Sequence, residues 1–193
     1  MHVVFGARLS EYYSQDTPAP KAKQVAAHQI ALWAKPPAGR EELDRMRASC
    51  AEWDLMARTF LVLALTNMSL REPSEQEQYL EVVDIIIEQT LQLEKEESFY
   101  YFLMDYGRYG SFVNQPARSL FLDGEIALML GVRQMVKVRQ DYAPLLAQRV
   151  DVMIDYMSRG NVLSAESYPD ECWTFCNSVA LAAMTISDVL DGR

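Results

Sequence analysis

The chain has 193 residues, of which half are hydrophobic and 23% are charged, and this composition is typical of one globular domain. Its formal net charge of −9 excludes a broad cationic face and argues against nucleic acid as a partner. No apolar run reaches the roughly 20 residues of a membrane-spanning helix, and no secretory signal is recognised. We therefore expect a cytoplasmic location.

The cysteine pattern indicates neither a disulfide framework nor a metal site. Cys50, Cys172 and Cys176 are an odd number, and no second cysteine pair completes a zinc-binding pattern. The only histidines are His2 and His28. Phosphate-binding loops, dinucleotide fingerprints and the HExxH motif do not occur, so we expect no metal and no cofactor.

The N-terminal part, residues 1–39, is predicted to be an arm with one short helix. Residues 3–5 could form a strand, and residues 21–33 have the pattern of a helix that ends before a Pro-Pro-Ala-Gly sequence. Residues 40–193 are predicted to be a region of helical hairpins, and together the two parts make a single helical domain.

Five further segments are predicted to be helical from their apolar spacing. Residues 40–70 contain neither Pro nor Gly and form one helix or two that meet near Ser49. Ser74 is a candidate cap for the next helix. The later segments are 75–94, 120–139, 145–158 and 171–190.

Apolar and half-polar helices alternate along the chain. Residues 53–68, 120–139 and 171–190 are mostly apolar, whereas 75–94 and 145–158 each have a polar face. Connections after an apolar helix have about five residues, and those after a half-polar helix have more than about ten. This pattern predicts an all-α fold of antiparallel hairpins in an inner and an outer layer, with all long loops at one end. An ordinary up-and-down bundle remains the alternative.

Each predicted inner helix begins with two acidic residues at the end that carries the long loops. Acids in a first helical turn complement the helix dipole by ~0.3–1 kcal/mol each, which is a purely structural explanation. Carboxylates that meet in one pocket can instead supply a general acid and a general base. The pairs are Glu52 with Asp54, Asp123 with Glu125, and Asp170 with Glu171.

Two short motifs carry a family resemblance. The run ESYPDECWTFCN at residues 166–177 and the run LFLDGEIA at residues 120–127 resemble inner helices of the (α/α)6-toroid enzymes. Among these, the chain resembles the linalool dehydratase/isomerase-like proteins and, more distantly, the six-hairpin glycosidases, over residues 52–193. The resemblance implies part of an α/α toroid. Because those families complete six hairpins and this chain has about two and a half, it also implies further C-terminal hairpins or self-association.

The resemblance also suggests which residues carry chemistry. In the dehydratase-like family, acids and cysteines transfer protons to and from an alcohol, and Cys172 and Cys176 are the nearest counterparts. Two cysteines on an apolar helix are also common as core residues. The glycosidase resemblance requires two carboxylates on either side of a scissile bond. The predicted catalytic residues are Asp170, Glu171, Asp123, Glu125 and Cys172.

An aromatic-rich stretch between residues 99 and 112 could line a substrate pocket at the same end. Its rings could stack on a sugar or enclose an apolar terpenoid, and an equal alternative is that they pack a long loop against the core. The predicted substrate-binding residues are Tyr168, Trp173, Asn177, Tyr100, Tyr101, Tyr106, Arg118, Trp53 and Asp54.

These features predict an enzyme, or part of one, that acts on a sugar, polyol or terpenoid alcohol by acid–base chemistry. It would be a lyase, an isomerase or a glycoside hydrolase, and its partner would be a small-molecule substrate. The alternative is a non-catalytic helical module that binds a partner or a second copy of itself. The first hypothesis requires a pocket with acids and rings, and the second requires an exposed apolar patch.

Overall fold

The computed structural model describes the backbone of residues 9–34 and 38–193, with side chains from residue 41 onward in the second range. Within these ranges all regular structure is helical, and the prediction of an all-α fold is confirmed. Three 3₁₀ turns, Pro73–Glu75, Phe99–Phe102 and Asp105–Arg108, lie in the connections. The helices are α1 Leu9–Tyr12, α2 Pro20–Trp33, α3 Ala38–Ser49, α4 Ala51–Arg71, α5 Gln76–Glu97, α6 Leu120–Val136, α7 Ala143–Ser158 and α8 Thr174–Leu190.

The region 40–70 forms two helices rather than one. Cys50 has an extended backbone with φ −162°, and this interrupts the hydrogen-bond ladder between α3 and α4. Of the two alternatives that the sequence left open, one helix or two that meet near Ser49, the structure has the second. Ser74 makes no capping hydrogen bond and lies within the 3₁₀ turn instead, so its predicted role as a cap is wrong. The predicted strand at residues 3–5 lies outside the described residues.

The last helix begins three residues later than predicted. Tyr168 and Glu171 form an isolated β-bridge, and Asp170 within the turn has a positive φ of 60°. This left-handed conformation is incompatible with a continuing α-helix. The prediction that Asp170, Glu171 and Cys172 open the final inner helix is therefore wrong, because these residues belong to the preceding loop.

Helices α4, α6 and α8 form an inner layer, and α5 and α7 pack across them as an outer layer. Lys137, just after α6, pairs with Glu77 at the start of α5. At the other end, Arg149 of α7 contacts both Glu94 near the end of α5 and Asp123 near the start of α6. These contacts show that α5 runs antiparallel to α6.

Helices α6 and α8 run parallel in close contact because two glycines of α6 face α8. A Cβ atom at Gly124 would lie 3.3 Å from the backbone nitrogen of Ala180. A Cβ atom at Gly131 would lie 2.8 Å from a methyl group of Ile186. The contact partner on α8 moves forward from residue 180 to residue 186 as the position on α6 moves forward from 124 to 131, so the two helices run parallel. Larger side chains at either glycine would force the helices apart.

The inner layer is curved. Gly124 and Gly131 face α8, whereas Glu125 contacts Thr59 of α4. Successive residues of an α-helix are rotated by roughly 100°, so α4 and α8 lie roughly 100–120° apart around α6. Arg133, which pairs with Asp84 of α5, lies on the side of α6 that faces away from the gap between α4 and α8. The concave side of the inner layer therefore faces away from α5 and α7.

We call this concave side the inner face. Its apolar side chains follow the uncovered stripes of the three helices, and several are about half exposed, including Phe60 at 52% and Met135 at 53%. Along α4 its stripe carries no charge between Glu52 and Arg71. The inner face consists of Trp53, Met56, Phe60, Leu63 and Leu70 of α4, Leu128, Val132 and Met135 of α6, and Phe175, Val179, Ile186 and Leu190 of α8.

Both long connections lie at the N-terminal end of the inner helices, as their lengths predict. The buried carboxylate of Glu166 accepts hydrogen bonds from the backbone N–H groups of Val113 and Asn114, each at 2.9 Å, and of Asp170 at 2.8 Å. Gly110 packs so closely on Pro169 that an added Cβ would lie 2.6 Å from its ring. One side chain thus joins the loop 98–119 to the loop 159–173. We call this end of the molecule the long-loop end.

One contiguous set of buried apolar residues extends from Ala26 in α2 to Ala183 in α8. It includes contributions from both layers and from the loop 98–119, so the loops pack as part of the core. Within the described ranges, no helix combines the length and the apolar character required to cross a bilayer.

Replacing Gly124 by leucine tests the close contact between α6 and α8. We expect this change to lower the free energy of unfolding by about 2–3 kcal/mol, because the backbone of Ala180 cannot rotate away from the new side chain. The measurement is urea unfolding at equilibrium. Ser178→Leu, on the exposed side of α8, is the control and should change stability by less than about 0.5 kcal/mol. Equal stability of the two variants would contradict the packing described.

Candidate functional site at the long-loop end

Glu125, at the long-loop end, is a buried carboxyl group with a strongly raised pKa. Its side chain is on α6, faces α4 and is only 3% exposed, and no arginine, lysine or histidine pairs with it within the described ranges. Burial raises the pKa of Glu125 to about 7, and the contact with Thr59 offsets part of this rise. A carboxyl group with such a pKa can exchange a proton near neutral pH.

Tyr168 lies at the base of the second long loop and is fully buried. Its hydroxyl donates to Oε1 of Glu52 at 2.6 Å and accepts from the backbone N–H of Met104 at 2.8 Å. Burial, followed by the hydrogen bond with Glu52, raises the pKa of the Tyr168 hydroxyl. The phenol therefore stays protonated and holds Glu52 at the start of α4.

Cys176 in the first turns of α8 completes this group. Burial raises the pKa of its thiol to about 11, and the charges of Glu125 and Glu52 add to that rise. Both carboxyl groups therefore disfavour ionisation of this one thiol. Because the thiolate is disfavoured, Cys176 is a protonated thiol at neutral pH and not a nucleophile. We call Glu52, Glu125, Tyr168 and Cys176 the inner-helix site.

An aromatic stack adjoins the inner-helix site. The ring of Tyr168 lies between those of Tyr106, at 4.8 Å, and Trp173, at 5.1 Å, both nearly parallel to it. Glu171 accepts a hydrogen bond from the indole N–H of Trp173 at 2.8 Å. Burial and the nearby charge of Glu171 raise the pKa of Tyr106 to about 12. Tyr106 is still 46% exposed, so the stack reaches from the site to solvent.

Asp123 lies on a different side of α6 from Glu125, although the two are only two residues apart. It accepts hydrogen bonds from Arg118, at 2.8 Å from Nε, and from Arg149, at 2.6 Å from Nη1. The latter arginine also pairs with Glu94, so the group joins α5, α6 and α7. Since residues two apart in a helix are rotated by roughly 200°, the two carboxyl groups cannot share one pocket. Two predicted catalytic residues, Asp123 and Glu125, are thus separated.

The other predicted catalytic residues are distributed around the second long loop. Asp170 and Cys172 are exposed, and Glu171 is half-buried beside Trp173. Asp170 contributes its backbone N–H to Glu166.

Several predicted substrate-binding residues have structural partners instead. The Asn177 amide bonds both backbone groups of Ala165 and the carbonyl of Trp173, which fixes the loop on α8. Arg118 pairs with Asp123. Tyr100 is stacked on Phe99, with 4.1 Å between the ring centroids. These three residues are therefore held by the fold, while Trp53 is exposed on α4.

Asp54 and Tyr101 lie on the far side of α4 from the inner-helix site. Asp54 is buried and accepts a hydrogen bond from Nε of Arg58 at 2.7 Å. Tyr101 is half-buried, with the guanidinium group of Arg47 4.0 Å above its ring. Burial raises the pKa of Tyr101. Tyr101 lines a separate cavity, and Asp54 pairs with Arg58, which lines the same cavity; neither belongs to the inner-helix site.

The predicted catalytic and substrate-binding residues do not include Glu52, Glu166 or Cys176. Glu52, in the first turn of α4, and Glu166, in the second long loop, have partners 116 and 52 residues away, at Tyr168 and Asn114. For Cys176, as for Cys172, the sequence offers two alternatives, a counterpart of a catalytic cysteine or a core residue. The only local signal for Glu52 was its place in the first turn of an apolar helix.

Within the described part of the chain, no group of three or more His, Cys, Asp and Glu side chains could hold a metal ion. Comparison with known proteins adds no assignment: no protein-family model matches the chain, and no curated protein matches it.

The raised pKa of Glu125 predicts a pH-dependent stability. Below pH 4.5 the group is protonated in both the folded and the unfolded chain. Between pH 4.5 and about 7 the folded state retains the proton and the unfolded state loses it, so stability falls as pH rises. We expect wild type to lose about 3 kcal/mol relative to Glu125→Gln between pH 4 and pH 8.

The measurement is urea unfolding of both proteins at several pH values. Glu81→Gln, which removes an exposed carboxyl group of α5, is the control and should follow wild type within about 0.5 kcal/mol. A constant difference between Glu125→Gln and wild type across this range would show that Glu125 is not buried as a neutral acid.

Proposed function

We propose that this chain is an enzyme, or part of one, that transfers protons to and from an apolar alcohol at the inner-helix site. The observation that carries this proposal is Glu125, a buried carboxyl group with a pKa raised to about 7 and no cationic partner among the described residues. Perturbed carboxyl groups of this kind are typical of acid–base catalysts. A structural carboxylate would instead resemble Asp123, with its two arginine partners.

The apolar inner face favours a terpenoid-like alcohol over a sugar. It begins beside the inner-helix site and continues along α6 through Leu128, Val132 and Met135. A sugar would require polar groups for its hydroxyls, which these side chains lack. The separation of Asp123 from Glu125 also removes the pair of α6 carboxylates that was predicted to flank a glycosidic bond. Dehydration or isomerisation of an apolar alcohol therefore fits the site better than glycoside hydrolysis.

The residues of the site can be given distinct roles. Glu125 in its protonated form donates to the substrate hydroxyl, which leaves as water, and its carboxylate recovers a proton from the adjacent carbon as the double bond forms. Tyr168 holds Glu52 and keeps its negative charge near the positive charge that develops on carbon. Cys176, as a neutral thiol, closes the site on the side of α8.

The curvature of the inner layer supports the proposed α/α toroid. The angle of roughly 100–120° around α6 is near the 120° interior angle of a ring with six parallel inner helices. In such a ring the inner face would line the central cavity, and further hairpins or further copies of the chain would complete it. A cytoplasmic, single-domain protein remains our expectation from composition.

Activity is tested with linalool as the apolar alcohol and a p-nitrophenyl glucoside as the sugar probe. We expect wild type to form dehydrated or isomerised products from linalool, detected by gas chromatography with mass spectrometry. Glu125→Gln should reduce the rate by at least ~100-fold, because it removes the proton donor. Asp170→Asn, at an exposed position, is the control and should retain the rate. Activity on the glucoside alone, or equal rates in the two variants, would contradict this proposal.

A second candidate function is self-association through the inner face. Four of its side chains, Trp53, Phe60, Leu70 and Met135, are each more than half exposed. Several exposed apolar side chains on one face favour an interaction site in soluble proteins. Because the inner face is uncharged along α4 and α6 while the chain has a net charge of −9, two copies can meet there with little electrostatic repulsion.

Light scattering on a sizing column tests this second function. We expect wild type to form a dimer or larger oligomer, and Phe60→Lys with Met135→Lys to shift it to a monomer, because two buried charges would be unpaired in the interface. Gln78→Lys with Glu81→Lys, on exposed positions of α5, is the matched control and should leave the mass unchanged. A compact wild-type monomer at all concentrations would exclude self-association.

A further inference from the structure

A cavity of about 380 Å³ lies between α2, α3, α4 and α5, on the other side of α4 from the inner-helix site. The two sites are separated because Arg58 lines the cavity, whereas the next residue, Thr59, faces Glu125. This volume is within the range of binding sites for small molecules. The cavity has no role in the acid–base chemistry proposed above.

Arg58 is the polar group at the base of the cavity, and it is only 3% exposed. Its Nε donates to Asp54 at 2.7 Å, and its Nη1 makes a long contact with Thr90 at 3.4 Å. Within the described ranges, Nη2 donates to no protein acceptor. In these ranges, the buried side-chain nitrogen and oxygen atoms that lack a hydrogen-bond partner include Arg47 Nε but not Arg58 Nη2. Because Nη2 of Arg58 also lacks a partner, it must have some accessible surface. Spare N–H donors therefore face the cavity and can bind an oxygen acceptor.

The walls around Arg58 are mainly apolar. Trp33, the last residue of α2, is buried, and its ring lies 5.2 Å from the guanidinium carbon of Arg58. Leucines and a methionine from three helices complete the apolar wall. They are Leu32, Leu43, Met46 and Leu93.

The charges around the cavity disfavour an anionic ligand. Asp54 already compensates the charge of Arg58, so the pair is neutral overall. At the rim stand three carboxylates, Glu42, Asp44 and Glu96, all exposed. An anion would approach this acidic rim and gain no net positive charge at the base.

We propose that this cavity binds an uncharged, mainly apolar molecule that presents a carbonyl oxygen to Arg58. The apolar walls bury the body of the ligand, and the spare N–H groups of Arg58 donate to its carbonyl oxygen. Amides, esters and ketones with a short alkyl or aromatic body have this chemistry.

The test is calorimetric titration of the whole chain with octanamide, octanoate and octylamine, which share one alkyl chain. We expect octanamide to bind at least tenfold more tightly than octanoate, which the acidic rim repels, and than octylamine, which has no acceptor for Arg58. The preference over octanoate should narrow in high salt because the rim charges are exposed.

A variant at the wall locates the binding. Gln89→Phe fills the cavity from an exposed position of α5, so folding is preserved, and it should abolish octanamide binding. Gln78→Phe, also exposed on α5 but outside the cavity, should bind as wild type does. The double variant Asp54→Asn with Arg58→Met keeps the buried pair neutral and should weaken octanamide at least tenfold.

Three results would overturn the proposal. They are the absence of octanamide binding, tighter binding of octanoate or octylamine than of octanamide, and unchanged octanamide binding in Gln89→Phe. The last result would place the ligand elsewhere, for example on the inner face.

Discussion

The close parallel contact between α6 and α8 is the constraint on which the rest of the structure depends. Gly124 and Gly131 allow this contact, since side chains there would meet the backbone of Ala180 and a methyl group of Ile186. With α8 held on one side and α4 on another, α6 is buried on almost every side. Its two acidic residues must then find partners inside the protein or change their protonation, and this requirement creates the chemistry of the long-loop end.

The two acids of α6 meet that requirement in opposite ways. Asp123 faces the outer layer, where Arg118 and Arg149 neutralise it and tie three elements together. Glu125 faces α4, where no arginine or lysine of the described ranges pairs with it, and burial raises its pKa to about 7. An unpaired buried acid destabilises the folded state at neutral pH. Groups that destabilise the folded state in this way occur mainly at functional sites. Glu125 therefore supports a catalytic proposal better than the other carboxyl groups of the described residues.

The fold also separates three surfaces around α4. Its buried Arg58 faces the cavity towards α5, Thr59 faces Glu125, and Phe60 belongs to the inner face. Consecutive residues can serve three surfaces because each is rotated by roughly 100° from the last. A single side chain also joins the two long connections, because the Glu166 carboxylate accepts hydrogen bonds from backbone N–H groups of both. The inner face is left uncovered by the described helices, and it is where substrate, further hairpins or a second copy would be bound.

The sequence by itself determined the all-α fold, the order of helices and the meeting of long loops at one end. These follow from local signals, namely apolar periodicity, proline and glycine, and connection lengths. Only the tertiary structure decided that Glu125 is unpaired while Asp123 is not, that Glu52 meets Tyr168, and that Asp170 lies in a turn. The physical reason is that pairing and burial depend on partners distant in sequence: Tyr168 and Glu52 are 116 residues apart, and no local pattern encodes their contact.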